Sequence, residues 1–112
     1  MENQITIAKE ILNQLGGSKF LAMTGSKNLL YAEITESNPN FWLRMDLIRN
    51  KAKANRLKIT LTDMDTYIMK FYNQQIKNYT EVVITNEKTI EGVYCDQLQE
   101  MFTEITGLDT AL

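Results

Sequence analysis

The sequence predicts an α+β domain: an N-terminal helix, a curved antiparallel sheet of five or six strands, and a C-terminal helix, with both helices on one face. Three observations carry this prediction. An amphipathic helical stripe stands near each end of the chain. Three consecutive central stretches alternate apolar and polar residues with period two. No helical pattern separates those stretches, as a parallel sheet would require. At 112 residues the chain fits a single domain spanning 1–112.

The first helix rests on Ile5, Ala8, Leu12 and Leu15, helped by Ile11, which recur at helical spacing. Asn3 suits its N-cap, and Gly16-Gly17 should stop it. Phe20 to Thr24 and Leu29 to Thr35 are apolar runs around the turn tetrad Gly25-Ser26-Lys27-Asn28, which reads as a hairpin. Glu36 to Asn40 holds the only proline and reads as a turn.

The central strands follow. Phe41 to Ile48, Arg56 to Thr62 and Thr66 to Tyr72 are joined by the polar loop Asn50–Asn55 and the tight turn Asp63-Met64-Asp65. Thr80 to Thr85 has strong β-propensity, Asn86-Glu87-Lys88 looks like a turn, and neither Asn73–Tyr79 nor Thr89–Val93 is determined by pattern. The last helix carries Tyr94, Leu98, Met101, Phe102 and Ile105 on one stripe, with Asp96 in its first turn. Gly107 and Leu108 suit a Schellman ending.

The alternation also assigns sides. Leu43, Met45, Leu57, Ile59, Tyr67, Met69 and Phe71 should face the core. Arg44, Arg56, Lys58 and Lys70, with Trp42 and Tyr72, should then face outward on a sheet surface left open to water. From Arg44 to Lys58 six basic residues, among them Arg49, Lys51 and Lys53 in the loop, stand against one acid, Asp46, inside a chain of net charge −2. Clustered cations hold phosphates, and aromatic faces stack the bases of single strands. The same cations would also serve as solvated edge charges that block strand-to-strand aggregation, and Trp42 would also suit a partner chain.

Other chemistry is thin. The absence of histidine excludes Ser-His-Asp and Cys-His catalysis and His-ligated zinc. One cysteine, Cys95, allows no intrachain disulfide or Cys-only metal site. It sits at the start of the final helix and reads as a small half-buried side chain. Thr24-Gly25-Ser26-Lys27 lacks the spacing of a phosphate loop and reads as a plain turn. Asp63 and Asp65 could share Mg²⁺ on one strand, but at a hairpin tip they read as turn residues. The N-terminus lacks a secretory signal, and no apolar run reaches membrane-spanning length, so a cytoplasmic protein is expected.

Two resemblances bear on this. The run Gln14-Leu15-Gly16-Gly17-Ser18-Lys19-Phe20-Leu21-Ala22-Met23-Thr24-Gly25-Ser26-Lys27-Asn28, the turn Asp65-Thr66-Tyr67 and the segment Phe102–Leu108 resemble a group of small proteins of phages and mobile elements. That group implies context and no activity. The element order is similar to the single-stranded-DNA-binding cofactor and Whirly folds, from which the N-terminal helix departs. The favoured reading is a non-enzymatic accessory protein, without cofactor or metal. It would bind single-stranded DNA or RNA through Trp42, Arg44, Arg49, Lys51, Lys53, Arg56, Lys58, Lys70 and Tyr72. The alternative is an assembly module that pairs with itself or with a phage protein.

Overall fold

The computed structural model describes residues 4–32 and 40–108. Three helices and five strands follow one another as α1 (Gln4–Leu15), α2 (Gly17–Thr24), β1 (Lys27–Ala32), β2 (Trp42–Asp46), β3 (Arg56–Leu61), β4 (Tyr67–Lys77), β5 (Glu81–Val93) and α3 (Leu98–Thr106). The sheet is an antiparallel meander in the order β1-β2-β3-β4-β5, open at both edges. The expected α+β class and five-stranded antiparallel sheet are therefore present.

The core forms where the alternation requires it. Leu43 pairs across with Ile59, and Ile59 with Met69; Met45 pairs with Leu57, and Leu57 with Phe71. These side chains are buried in one cluster with Ile11 and Leu15 of α1, Phe20 of α2, and Leu98 and Phe102 of α3. Phe102 ties the layers together, its ring 4.9 Å edge-on from Phe20 and 6.3 Å from Phe71. Each such ring contributes roughly 1.5–3 kcal/mol of burial.

Several expectations are corrected. Phe20 to Thr24 is not a strand but the end of α2, a second helix set off from α1 at Gly16. Phe20 and Thr24 lie four apart and are both buried on one helical face, and the Thr24 hydroxyl donates to the Phe20 carbonyl at 2.7 Å. Gly25 then ends α2 in the left-handed conformation at φ 67°, its N–H bonded to the Leu21 carbonyl. The strand expected at Leu29 to Thr35 begins earlier, at Lys27. Asn3, the expected N-cap, and residues 36–39 of the expected turn lie outside the described residues.

Asn86-Glu87-Lys88 is not a turn. It lies inside β5, where the pairing with β4 slips by one residue between Phe71 and Asn73 and Asn86 takes φ 53°. A second slip between Tyr67 and Met69 has Gly92 at φ 68°. Left-handed residues at a one-residue slip are the mark of a β-bulge. Asn73–Tyr79, undetermined by pattern, completes β4 and opens a turn.

Tyr94 and Asp96 precede α3 rather than belonging to it. Tyr94 is exposed, and its N–H donates to the Gln97 side chain at 3.1 Å. The end of α3 is as expected at Gly107, at φ 74°, whose N–H donates to the Thr103 carbonyl at 2.8 Å. Leu108 folds back beside the core, and its N–H donates to the Thr106 hydroxyl. This ending is the simpler left-handed cap, with one backbone bond, rather than a Schellman motif. Among the described residues no helix is long and apolar enough to cross a membrane.

Candidate nucleic-acid interface

The face of the sheet opposite the core is organised in rows. Pairing sets Leu30, Arg44, Lys58, Lys70 and Thr89 side by side across all five strands. A neighbouring row runs Ala32, Trp42, Thr60 and Ile68, and another runs Asp46, Arg56 and Tyr72. Three cations thus stand directly opposite one another on three adjacent strands. Neighbouring strands lie about 4.8 Å apart, so Arg44 and Lys70 are separated by about 10 Å at the backbone.

The electrostatics of this row are unbalanced. Lys70 reaches Glu87 at 3.6 Å. Among the described residues, neither Arg44 nor Lys58 has a carboxylate within ion-pair distance. Lys58 has its pKa lowered from the usual lysine range, chiefly by burial and then by the charges of Lys70 and Arg44. Like charges directly opposite each other weaken a sheet. The Lys58 ammonium instead lies over the Trp42 ring, 4.8 Å from its centroid. That cation–π contact covers one face of the indole and leaves the ring half-buried.

The other expected site residues divide. Arg56 faces the open side but is committed to Asp46, at 2.8 Å, and also donates to the Asn55 carbonyl. Asp46 in turn accepts from the Asn28 side chain at 2.7 Å. Tyr72 is corrected: it is only 7% exposed, with the Lys70 ammonium 6.0 Å from its ring, so it presents no face for a base. Its neighbours on that face are Arg56 across the ladder and Lys70 along the strand, whose long stems cover apolar surface while the charged heads stay wet.

The loop cations do not join the row as a group. Lys51 belongs to the end of α3. Its N–H donates to the Thr106 carbonyl at 3.1 Å, and its side chain lies so close to Gly107 that a Cβ there would meet Lys51 Cδ at 3.2 Å. Lys53 sits at φ 55° with its carbonyl accepting from the Asn86 side chain. Arg49 is exposed beside Ile48 in the same loop. Asn50 fixes that loop by accepting from the Ala52 N–H and donating to the Ile48 and Ala54 carbonyls.

Two minor candidates fall to turn chemistry. Thr24-Gly25-Ser26-Lys27 lies at the C-terminal end of α2, the negative end of its dipole and the wrong end for a phosphate. Asp65 sits at φ 59° in the β3–β4 turn, whose Thr62 and Thr66 hydroxyls bond each other at 2.9 Å. Among the described residues no group of three or more metal-ligating side chains converges. Cys95 is exposed in the turn before α3, not half-buried.

The fold and this face together define an α+β domain with an open antiparallel sheet and a cross-strand cationic row. Comparison of the chain with protein-family models, curated proteins and solved structures finds no match.

Proposed function

We propose that this chain is a non-enzymatic binding protein that holds single-stranded DNA or RNA across the open face of its sheet. The row Arg44–Lys58–Lys70 carries the reading. Its cations face one another at a cost to the sheet, and the strands put them at one level. A phosphate backbone running across β2, β3 and β4 would relieve that repulsion. Lys58 would exchange the Trp42 ring for a phosphate, and a base would take its place on the indole. Arg56 and Tyr72 support the surface without contacting the ligand.

Titration of labelled oligothymidine and oligouridine by fluorescence anisotropy tests this. Binding at low salt that weakens as salt rises, accompanied by a change in emission from Trp42, the sole tryptophan, is expected. The double variant Arg44→Glu/Lys58→Glu should lose it. Binding absent at low salt, indifferent to salt, or retained in the double variant would overturn the proposal.

A further inference from the structure

One length of this sheet's edge is left unguarded. Pairing of β4 with β3 ends at Tyr72. Beyond it β4 and β5 run on as a two-stranded arm, pairing Gln74 with Ile84, Gln75 with Val83, Ile76 with Val82 and Lys77 with Glu81. Ile76, Val82 and Ile84 share one side of the arm and are 67%, 55% and 48% exposed. Two strands alone are marginally stable in water, and three or more with an apolar face are the usual minimum.

Elsewhere the edges carry guards against pairing with another chain. β1 begins with Lys27 and the left-handed Asn28, and its register slips before Leu30. From Asn86 to Val93, β5 holds two slips and the charges of Glu87, Lys88 and Glu91. Charges and bulges of this kind blunt an edge. The stretch Glu81–Thr85 has no slip, no lysine, no proline and no glycine, and its single charge is at its end. β5 is the last strand of the sheet, so among the described residues no strand lies along the outer side of this stretch.

The stretch also complements itself. Glu81-Val82-Val83-Ile84-Thr85 reads polar, three apolar, polar in either direction. Set antiparallel to a second copy about Val83, it places Val83 opposite Val83, Val82 opposite Ile84 and Glu81 opposite Thr85. Apolar meets apolar and no like charges face each other. Moving the centre to Val82 sets Glu81 against Val83. Moving it to Ile84 sets Val82 against Asn86, where the bulge lies.

We infer that this chain dimerises by antiparallel pairing of Glu81–Thr85 with the same stretch of a second copy. The two arms become four strands, and the outward N–H and C=O groups of each find partners in the other. Both copies use the same edge, so the contact closes as a two-fold dimer. The inference is independent of nucleic-acid binding.

Sedimentation equilibrium and disulfide trapping of the full chain, without nucleic acid, test it. The wild type should dimerise. Ile84→Lys, at an exposed position, should weaken association at least tenfold while preserving the circular-dichroism spectrum. Val83→Cys in a Cys95→Ser background should form a disulfide dimer on mild oxidation, because directly opposed residues lie about 4.5–5.5 Å apart between Cα atoms, within disulfide reach. Gln75→Cys in the same background should not, although Gln75 is more exposed than Val83, because three interstrand spacings, about 14 Å, would separate the two copies. A wild type that stays monomeric, association unmoved by Ile84→Lys, or Gln75→Cys that cross-links as readily as Val83→Cys would overturn the inference.

Discussion

Lys58 is where stability and the proposed binding pull apart. It lies between Arg44 and Lys70 on neighbouring strands, and burial together with those charges lowers its pKa from 10.5. The folded state therefore holds this proton less tightly than the unfolded chain does. Between the lowered value and 10.5 the unfolded chain binds more protons, so this residue makes stability rise with pH across that window. Lys58→Met keeps an unbranched side chain against Trp42 and removes the charge. We expect it to gain roughly 0.5–1 kcal/mol in urea unfolding at pH 7, the scale of cross-strand charge effects. The gain should shrink as pH approaches 10.5, because the wild-type lysine is then neutral too. A variant less stable than wild type would show that the Trp42 contact outweighs the repulsion.

At the level of elements, the sequence was legible wherever a pattern persisted for five residues or more. β2, β3 and the first half of β4 alternate cleanly, so their inward and outward sides followed, and with them the positions of Trp42, Arg44, Lys58 and Lys70. Phe20 to Thr24 is an apolar run without alternation or a full helical stripe, and only its four-residue burial spacing reveals α2. Asn86 has turn chemistry, yet a β-bulge uses the same left-handed conformation, so β5 appeared broken. The Arg56–Asp46 pair and the burial of Tyr72 depend on which residues face each other across strands, and composition does not contain that. The course of the loop that takes Lys51 to α3 is equally tertiary. The element that unites these layers is α3. Phe102 is fully buried between Phe20 and Phe71, and Phe102→Ala should cost roughly 3–5 kcal/mol in denaturant unfolding. A near-normal unfolding midpoint would detach α3 from the core.

For the whole molecule the question is how an acidic chain would hold the proposed polyanion. Net charge is −2, so long-range steering toward nucleic acid is unfavourable, and attraction must act within about a Debye length of the row, roughly 10 Å at 0.1 M salt. Affinity should therefore come from a small number of phosphates. Each phosphate neutralised on a single strand contributes about −0.7 to the slope of log K against log salt. Arg44, Lys58 and Lys70 together predict a slope of about −2 for one chain, and Arg44→Gln should reduce its magnitude by about 0.7. Titrations between about 50 and 200 mM salt measure this directly. A slope near −4 for the wild type would mean that Arg49, Lys51 and Lys53 also reach the strand, or that two chains share it. A slope near zero would leave the row without phosphates and remove its part in binding.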